Sequence, residues 1–439
     1  MSNKAMKPKK RFPEFRDSPA WIGKPMGEVY SFKGNNSLSR DQLNYEHGSV
    51  KNIHYGDIHT KFSTLFDITK ETVPYINPSE SLDGFNPDND CVEGDMIFAD
   101  ASEDLADIGK SIEVIRLNDE RVISGQHTIL ARPNDDSLVV GFGAYLFKSA
   151  PVRTQIQKES QGSKVLGISA KRLTKIELPI PSTKSEQQKI AECLTSLDEV
   201  MAAHGQKLDA LKTHKQGLMQ QLFPRAGETV PRLRFPGFQA APEWEEMRLG
   251  DVCEKIMDGT HFSPKTKTGP RLYLTSKNIQ DGKIDLSKIS YISEEDHRDI
   301  YNRCPVKIHD VLLTKDGANT GNCALNDLDI EFSLLSSVAV LRGKPSVLGQ
   351  RFLYQSILSE RNQELIAESM SGQAITRITL EKIGNFIISV ANIEEQERIA
   401  DCLSSLDEMI FAQTQKLDAL KTHKKGLMQQ LFPSTETES

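Results

Sequence analysis

Two stretches of this chain hold residues able to grip a polyanion. Residues 260–283 carry Lys265, Lys267, Arg271, Lys277 and Lys283 against a single acid, Asp281. Thr266, Thr268, Thr275, Ser276 and Asn278 are interleaved with them. Lysines neutralise phosphates, while Asn, Gln and Arg read base edges. A solvated basic loop has the same composition, and composition by itself favours that reading. The second stretch is "TKDGANTGNCAL" (314–325). There Thr314 leads into a glycine-flanked loop with Lys315, Asp316, Asn319 and Thr320. Gly317 and Gly321 permit close approach of backbone to a partner. An ordinary hairpin turn would carry the same residues.

The first half offers sparser candidates. Lys61 stands in "GDIHTKF" (56–62), Asp100 and Ser102 in the segment 94–114, and Gln126 and His127 in "SGQHT" (124–128). For each of these a structural role is the stronger reading. Lys164 and Arg377 stand in two segments that echo each other, and either could touch phosphate or cap structure.

Catalytic sets are not visible. Asn77-Pro78 and Asn86-Pro87 lack the second proline of an adenine-methyltransferase pocket motif. No phosphate loop of the G-x-x-x-x-G-K-[ST] type occurs. Asp281-x-Lys283 has no correctly placed upstream acid to make a nuclease site. The ten histidines do not cluster at metal spacing, and the six cysteines form no C-x-x-C pair. Aromatic residues are 7% of the chain, with Trp21 and Trp244 its two tryptophans, so a stacking platform for single strands has little support. The expectation is a noncatalytic chain without a metal or cofactor of its own.

Two near-copies of one long helix must position these candidates. "KLDALKTHKQGLMQQLFP" (207–224) recurs as "KLDALKTHKKGLMQQLFP" (416–433), with one change, Gln216 to Lys425. The wider segments 186–224 and 395–433 agree at 29 of 39 positions. Thr183-x-x-Glu186 and Asn392-x-x-Glu395 form possible capping boxes, and Pro224 and Pro433 close the ends. Ile190, Leu194, Leu197, Met201, Leu208, Leu211, Leu218 and Leu222 trace a heptad seam. Its second copy is Ile399, Leu403, Leu406, Ile410, Leu417, Leu420, Leu427 and Leu431. His204 and Lys215 break the first seam, as Gln413 and Lys424 break the second. Roughly 37 residues at about 1.5 Å each make a rod of about 55 Å.

Repetition extends outside the helices. Arg11-Phe12-Pro13, Trp21 and Met26-Gly27-Glu28-Val29 open the first half. Arg234-Phe235-Pro236, Trp244 and Leu249-Gly250-Asp251-Val252 open the second. Residues 162–181 echo 372–391 before each helix. The plan is thus a globular unit of about 150 residues and a long helix, written twice. Short β runs at 96–98, 113–117, 311–314 and 337–341, with helical pattern over 350–370, predict mixed α+β domains. The expected boundaries are 1–185 and 225–394 for the domains, 186–224 and 395–433 for the helices, and 434–439 for a tail. The length of 439 residues suits about two to four domains. A net charge of −7 requires that any nucleic-acid contact use local positive charge. No long apolar run and no secretory h-region occur, so the cytoplasm is the default.

The order globular–helix–globular–helix, closed by "KLDALKTHKKGLMQQLFP" and carrying "TKDGANTGNCAL", closely resembles the DNA-specificity subunit of type I restriction-modification enzymes. The likeness covers nearly the whole chain. The first half departs from it, because "GDMIFADASEDLADIGKSIEV" (94–114) lacks the Gly-Ala-Asn-Thr-Gly loop. The resemblance implies an α+β protein with two globular α/β target-recognition domains. Two long helices, packed as an antiparallel coiled coil with pseudo-twofold symmetry, separate them. It implies that each domain reads one half of a split double-stranded DNA site and that helix length fixes the gap. It also implies two methyltransferase and two motor-nuclease subunits as partners, holding S-adenosylmethionine, ATP and Mg for N6-adenine methylation and ATP-dependent cleavage. Under it, DNA contacts fall to Lys265, Lys267, Lys277, Asn278, Thr314, Lys315, Asp316, Asn319, Thr320 and Arg377, and to Lys61 and Lys164. Independently of the resemblance, antiparallel pairing of the seams would set His204 against Gln413. The competing reading is a nucleic-acid-independent coiled-coil scaffold that gathers two copies of a partner. The acidic net charge and the heptad seam favour it, and salt-dependent duplex binding would tell the two apart.

Overall fold

Thr183 and Asn392 each start a helix of 39 residues: α1 (Lys184–Leu222) and α2 (Ile393–Leu431). The structure is a computed structural model that describes residues 5–83, 85–280, 282–370 and 377–433. The expected tail, Asp281 and the first residues of the 372–391 echo lie outside the described residues. Both helices begin and end two residues earlier than the sequence pattern set them. At about 1.5 Å per residue each is about 58 Å long.

Only half of each expected capping box forms. The Glu186 N–H donates to Thr183 Oγ1 at 3.3 Å, and the Glu395 N–H to Asn392 Oδ1 at 2.9 Å. The glutamate carboxylates do not turn back to the cap. They accept from Arg11 Nε and Arg234 Nε, at 2.8 Å in both copies. The same arginines donate Nη1 to the carbonyls of Ser18 and Ala241 at 2.7 Å. This explains the repeated Arg-Phe-Pro openings, which tie each domain's entry segment to the first turn of a long helix.

The chain divides into two compact units, the first of which is discontinuous in sequence. One comprises residues up to 203 together with those from 417 onward, and the other residues 204–416. Each unit therefore holds one globular domain and a part of both helices. In the first, Trp21 is fully buried with its ring centroid 5.9 Å from Phe432, just past the end of α2. In the second, Trp244 packs 6.0 Å from Phe223, just past the end of α1.

Within each unit the helix segments run antiparallel, and the polar breaks in the seam find partners. In the second unit Gln413 donates to the His204 carbonyl at 2.8 Å, and Lys215 pairs with Asp407 at 2.6 Å. In the first unit the repeat-equivalent residues Lys424 and Asp198 form the matching pair. Leu194 and Leu403 are fully buried, and Leu208 and Leu406 are buried. Leu197, Leu211, Leu218, Leu417, Leu420 and Leu427 are half-buried, because a two-helix seam leaves its flanks open.

The domains share a frame and differ in their sheets. In the first, strands 30–33, 128–133, 96–99, 111–116 and 65–67 form a five-stranded sheet in that order. In the second, strands 253–258, 338–343, 311–314 and 323–325 form an antiparallel four-stranded sheet. A buried ion pair enters each sheet at the same place. Asp95 takes Arg132 at 2.8 Å, and Asp310 takes Arg342 at 2.6 Å. Each aspartate follows a residue with positive φ, Gly94 or His309. The expected helical stretch 350–370 is two helices, Gln350–Ile357 and Glu360–Met370. Among the described residues, no helix is long and apolar enough to cross a membrane.

One buried acid gives the first unit a pH dependence. Glu113 accepts from the N–H groups of Gly141 at 2.8 Å and Ala144 at 2.6 Å, and burial pushes its carboxyl up to about 7. Folded pKa above unfolded pKa means the contribution is complete under acid conditions and is lost as pH rises through about 7. Urea unfolding between pH 5 and 8 should show this fall in the native chain and not in Glu113→Gln. For the seam, Leu194→Ala and Leu403→Ala should each cost about 2–5 kcal/mol. Half-buried Leu211→Ala should cost less, read from urea midpoints.

Candidate nucleic-acid interface

The glycine loop of the second domain joins strands Val311–Thr314 and Cys323–Leu325. Gly317 and Gly321 sit at φ +91° and +100°, a region that favours glycine. The two residues that enter the loop turn inward. Thr314 is fully buried, and Lys315 is 1% exposed with its Nζ 3.1 Å from Asp258 Oδ2. The expectation that these side chains meet a ligand is corrected here: both are buried, and the Lys315 ammonium fastens the loop to Asp258 from beneath. A buried ammonium needs such a partner, since an unpaired charge in the interior is costly.

Asp258 and Ser337 gather three segments that are far apart in sequence. Asp258 also lies 3.4 Å from His261 Nε2, at the start of the basic stretch. The Ser337 carbonyl accepts from the Lys315 N–H at 2.9 Å, and its hydroxyl accepts from the Ser276 N–H at 3.1 Å. The stretch near 261, the turn Ser276–Asn278 and the loop 315–321 are thereby linked.

Around this fastening, Lys265, Lys267, Lys277 and Asn319 are exposed, and Asp316 and Thr320 are partly so. Thr320 Oγ1 donates to the Gly317 carbonyl at 2.7 Å, which shapes the turn. Arg377 is exposed, with its Nε 3.7 Å from Asp316 Oδ2 and its backbone bridged to Asp316. Asn278 is buried, accepts from the Thr275 N–H at 2.9 Å and donates to the Asp285 carbonyl at 2.9 Å, so it too is structural. Arg271 is held by Glu294 at 2.7 Å, which raises the guanidinium's pKa. Part of the basic stretch is thus neutralised by acids outside it in sequence. Thr266 anchors the stretch by donating its hydroxyl to Asp296 at 2.6 Å, and that bond lowers the Asp296 pKa. Phe262 is 76% exposed among these cations, a residue the sequence pattern did not single out.

The first domain assembles a different surface. Lys61 donates to the Tyr45 hydroxyl at 2.9 Å and lies 3.1 Å from Asp57; the tyrosine bond first, then the aspartate, raises its pKa. Asp57 is fully buried and also takes Arg40 at 2.7 Å. His127 lies 3.2 Å from Asp100 and edge-on to Tyr55 at 5.3 Å. Ser102 accepts from the Asp104 N–H at 3.0 Å in its own turn, and Lys164 is exposed. Gln126 is partly exposed beside His127. Arg40, Tyr45 and Tyr55 join the earlier candidates; no spacing rule could connect Tyr55 with His127. Among the described residues no group of three or more His, Cys, Asp or Glu could hold a metal ion.

Residues 44–213 and 242–422 each match the profile of the type I restriction modification DNA specificity domain. A curated relative is the type I restriction enzyme MjaVIII specificity subunit of Methanocaldococcus jannaschii. It is 24% identical over 296 residues, spanning 66% of this chain and 69% of that protein. The fold is similar to the type I restriction-modification S subunit of M. genitalium, with TM-score 0.64 at 16% identity over 98% of this chain and 100% of that one. It is also similar to a chain from a study of complex assembly and conformational transition of the type I R-M system. There the TM-score is 0.52 at 18% identity, over 94% of this chain and 97% of that one.

Burial separates two kinds of substitution in the glycine loop. Lys315→Ala strands Asp258 and should lower the stability of the second unit by about 3–5 kcal/mol. Exposed Asn319→Ala should stay within about 0.5 kcal/mol of the parent. Chemical denaturation of both variants checks this.

Proposed function

The chain belongs to the type I restriction-modification DNA specificity family and carries two target-recognition domains, and we propose that each domain reads one half of a bipartite duplex site. The carrying observation is a shared frame under unlike surfaces. The same Arg–Glu anchor and buried tryptophan seat both domains on near-identical helices. Above that frame stand Lys265, Lys267, Lys277, Asn319 and Arg377 in one domain and Arg40, Tyr45, Lys61 and His127 in the other. Two surfaces on one repeated frame suit two different short sequences.

In this reading the exposed lysines hold phosphates, and Asn319 with Arg377 reaches base edges. The chain itself performs no reaction. The near-identical segments 207–224 and 416–433 offer equivalent seats to two methyltransferase subunits, with two motor-nuclease subunits completing the restriction complex. Those partners would supply S-adenosylmethionine, ATP and Mg chemistry in the cytoplasm.

Expression with the cognate methyltransferase subunit in an unmethylated host, followed by genome-wide mapping of N6-methyladenine, tests this. The expected outcome is one split motif with two defined halves and a fixed gap. An assembled, active complex that writes no split motif would overturn the reading in favour of a scaffold. Asn319→Ala should relax one half of the motif and leave the other half intact. Removing about seven residues, two turns, from each helix should shorten the tolerated gap.

A further inference from the structure

The two copies of the 18-residue helix phrase differ at one position, Gln216 against Lys425, and Lys425 lines a basic cleft in the first unit. The cleft has a volume of about 460 Å³ and a floor containing Phe147, Met201 and Met428. Its walls bring together Lys110, Lys148, Arg153, Lys421, Lys424 and Lys425. Three carboxylates answer these six cations: Asp107 at 3.7 Å from Lys110, Asp418 at 3.6 Å from Lys421, and Asp198 on Lys424. Arg153 spends its donors on the neutral carbonyls of Ala106, Ile108 and Gly109, and shares with Lys110 the negative charge of Asp107. Lys148 donates to the Thr64 hydroxyl. Like charges held this close cost stability unless an anion sits among them.

Among the described residues, the second unit does not repeat this arrangement. The Val139 N–H donates to Gln187 Oε1 as the Gly349 N–H does to Gln396 Oε1, both at 2.9 Å, which sets the equivalence of the two domains. By it, Leu358 and Gln363 stand where the first domain has Lys148 and Arg153, and Gln216 stands for Lys425. The converse also holds. The second domain has its lysines on 260–283, whereas 34–53 of the first domain has Arg40 and Lys51, paired with Asp57 and Glu120. The cleft wall at 106–111 continues directly from the 94–104 segment, the counterpart of the second domain's glycine loop.

We propose that this cleft is a phosphate site of the first unit, which takes backbone phosphodiesters of the duplex whose bases that domain reads. The proposal rests on the DNA-recognition reading above. Each domain then has one source of backbone attraction, a loop in the second and the cleft in the first.

The test compares the full chain, with its methyltransferase partner, against a Lys148→Gln/Lys421→Gln/Lys425→Gln variant. Duplex affinity is titrated with NaCl on a site-bearing and a site-free duplex. Loss of two or three phosphate contacts should flatten the slope of log K against log salt by about 2–3, at about 0.9 per contact. The change should be alike on both duplexes, with their affinity ratio unchanged. An unchanged slope overturns the proposal. So does loss of partner assembly in size-exclusion chromatography, which would assign Lys421 and Lys425 to the methyltransferase seat on 416–433 and not to DNA. Inorganic phosphate that raises the melting temperature of the parent but not of the variant, with equal DNA slopes, would make it a free-anion site and overturn the DNA assignment. Exposed Lys425→Glu supplies the same readout if the triple variant fails to fold. A parent complex without salt-dependent duplex binding would instead sink the recognition reading itself.

Discussion

A buried arginine–glutamate pair, made once in each half, is the constraint from which the rest of the architecture follows. Glu186 and Glu395 are each 1% exposed and would be prohibitively placed without Arg11 and Arg234. Because each glutamate lies in the first turn of a long helix, the pair fixes where that helix leaves its domain. Trp21 and Trp244 then close over aromatic residues from beyond the far end of the other helix, Phe432 and Phe223. Segments from three remote parts of the chain meet at one anchor. That is why the first compact unit joins residues up to 203 with those from 417 onward.

Given such an anchor, the sheets are free to differ while their entry points stay the same. The Asp95–Arg132 and Asp310–Arg342 pairs start equivalent central strands, so the loops beyond those strands fall at comparable places on the two domains. The second domain spends Lys315 on fastening its loop to Asp258, and leaves the outward positions to Asn319, Thr320 and Arg377. Positive charge needed for structure and positive charge offered to solvent are thereby separated within a few residues.

The frame was legible in the sequence because repetition makes packing visible twice. The seams, the polar breaks, the tryptophans and the Arg-Phe-Pro openings all sit at matched positions and pack alike, although the Trp21 N–H donates to Glu186 and the Trp244 N–H has no such bond. The His204–Gln413 contact follows from antiparallel register alone. The caps were half legible: Thr183 and Asn392 act as read, but Glu186 and Glu395 answer arginines more than 150 residues away. The candidate site was less legible. Lysine type does not report direction, so Lys315 looked like a contact residue until its burial against Asp258 was seen. Arg271 looked free because Glu294 and Glu331 lie outside the basic stretch. Tyr55 and His127 meet only through the fold.

The acidic composition is compatible with a polyanionic target once distance is considered. At physiological salt, exposed charges more than about 8 Å apart are largely screened from one another. A net charge of −7 spread over 439 residues therefore says little about a given patch. What matters is the balance within a Debye length, and each domain carries a basic patch, built by different means. The second places lysines on an extended stretch whose acids hold only part of the charge. The first recruits lysines from α2 to a cleft beside its own Lys110, Lys148 and Arg153. A domain that borrows charge from the far end of the partner helix can present it only when both helices are paired. Helix pairing and backbone attraction in the first unit are then the same event.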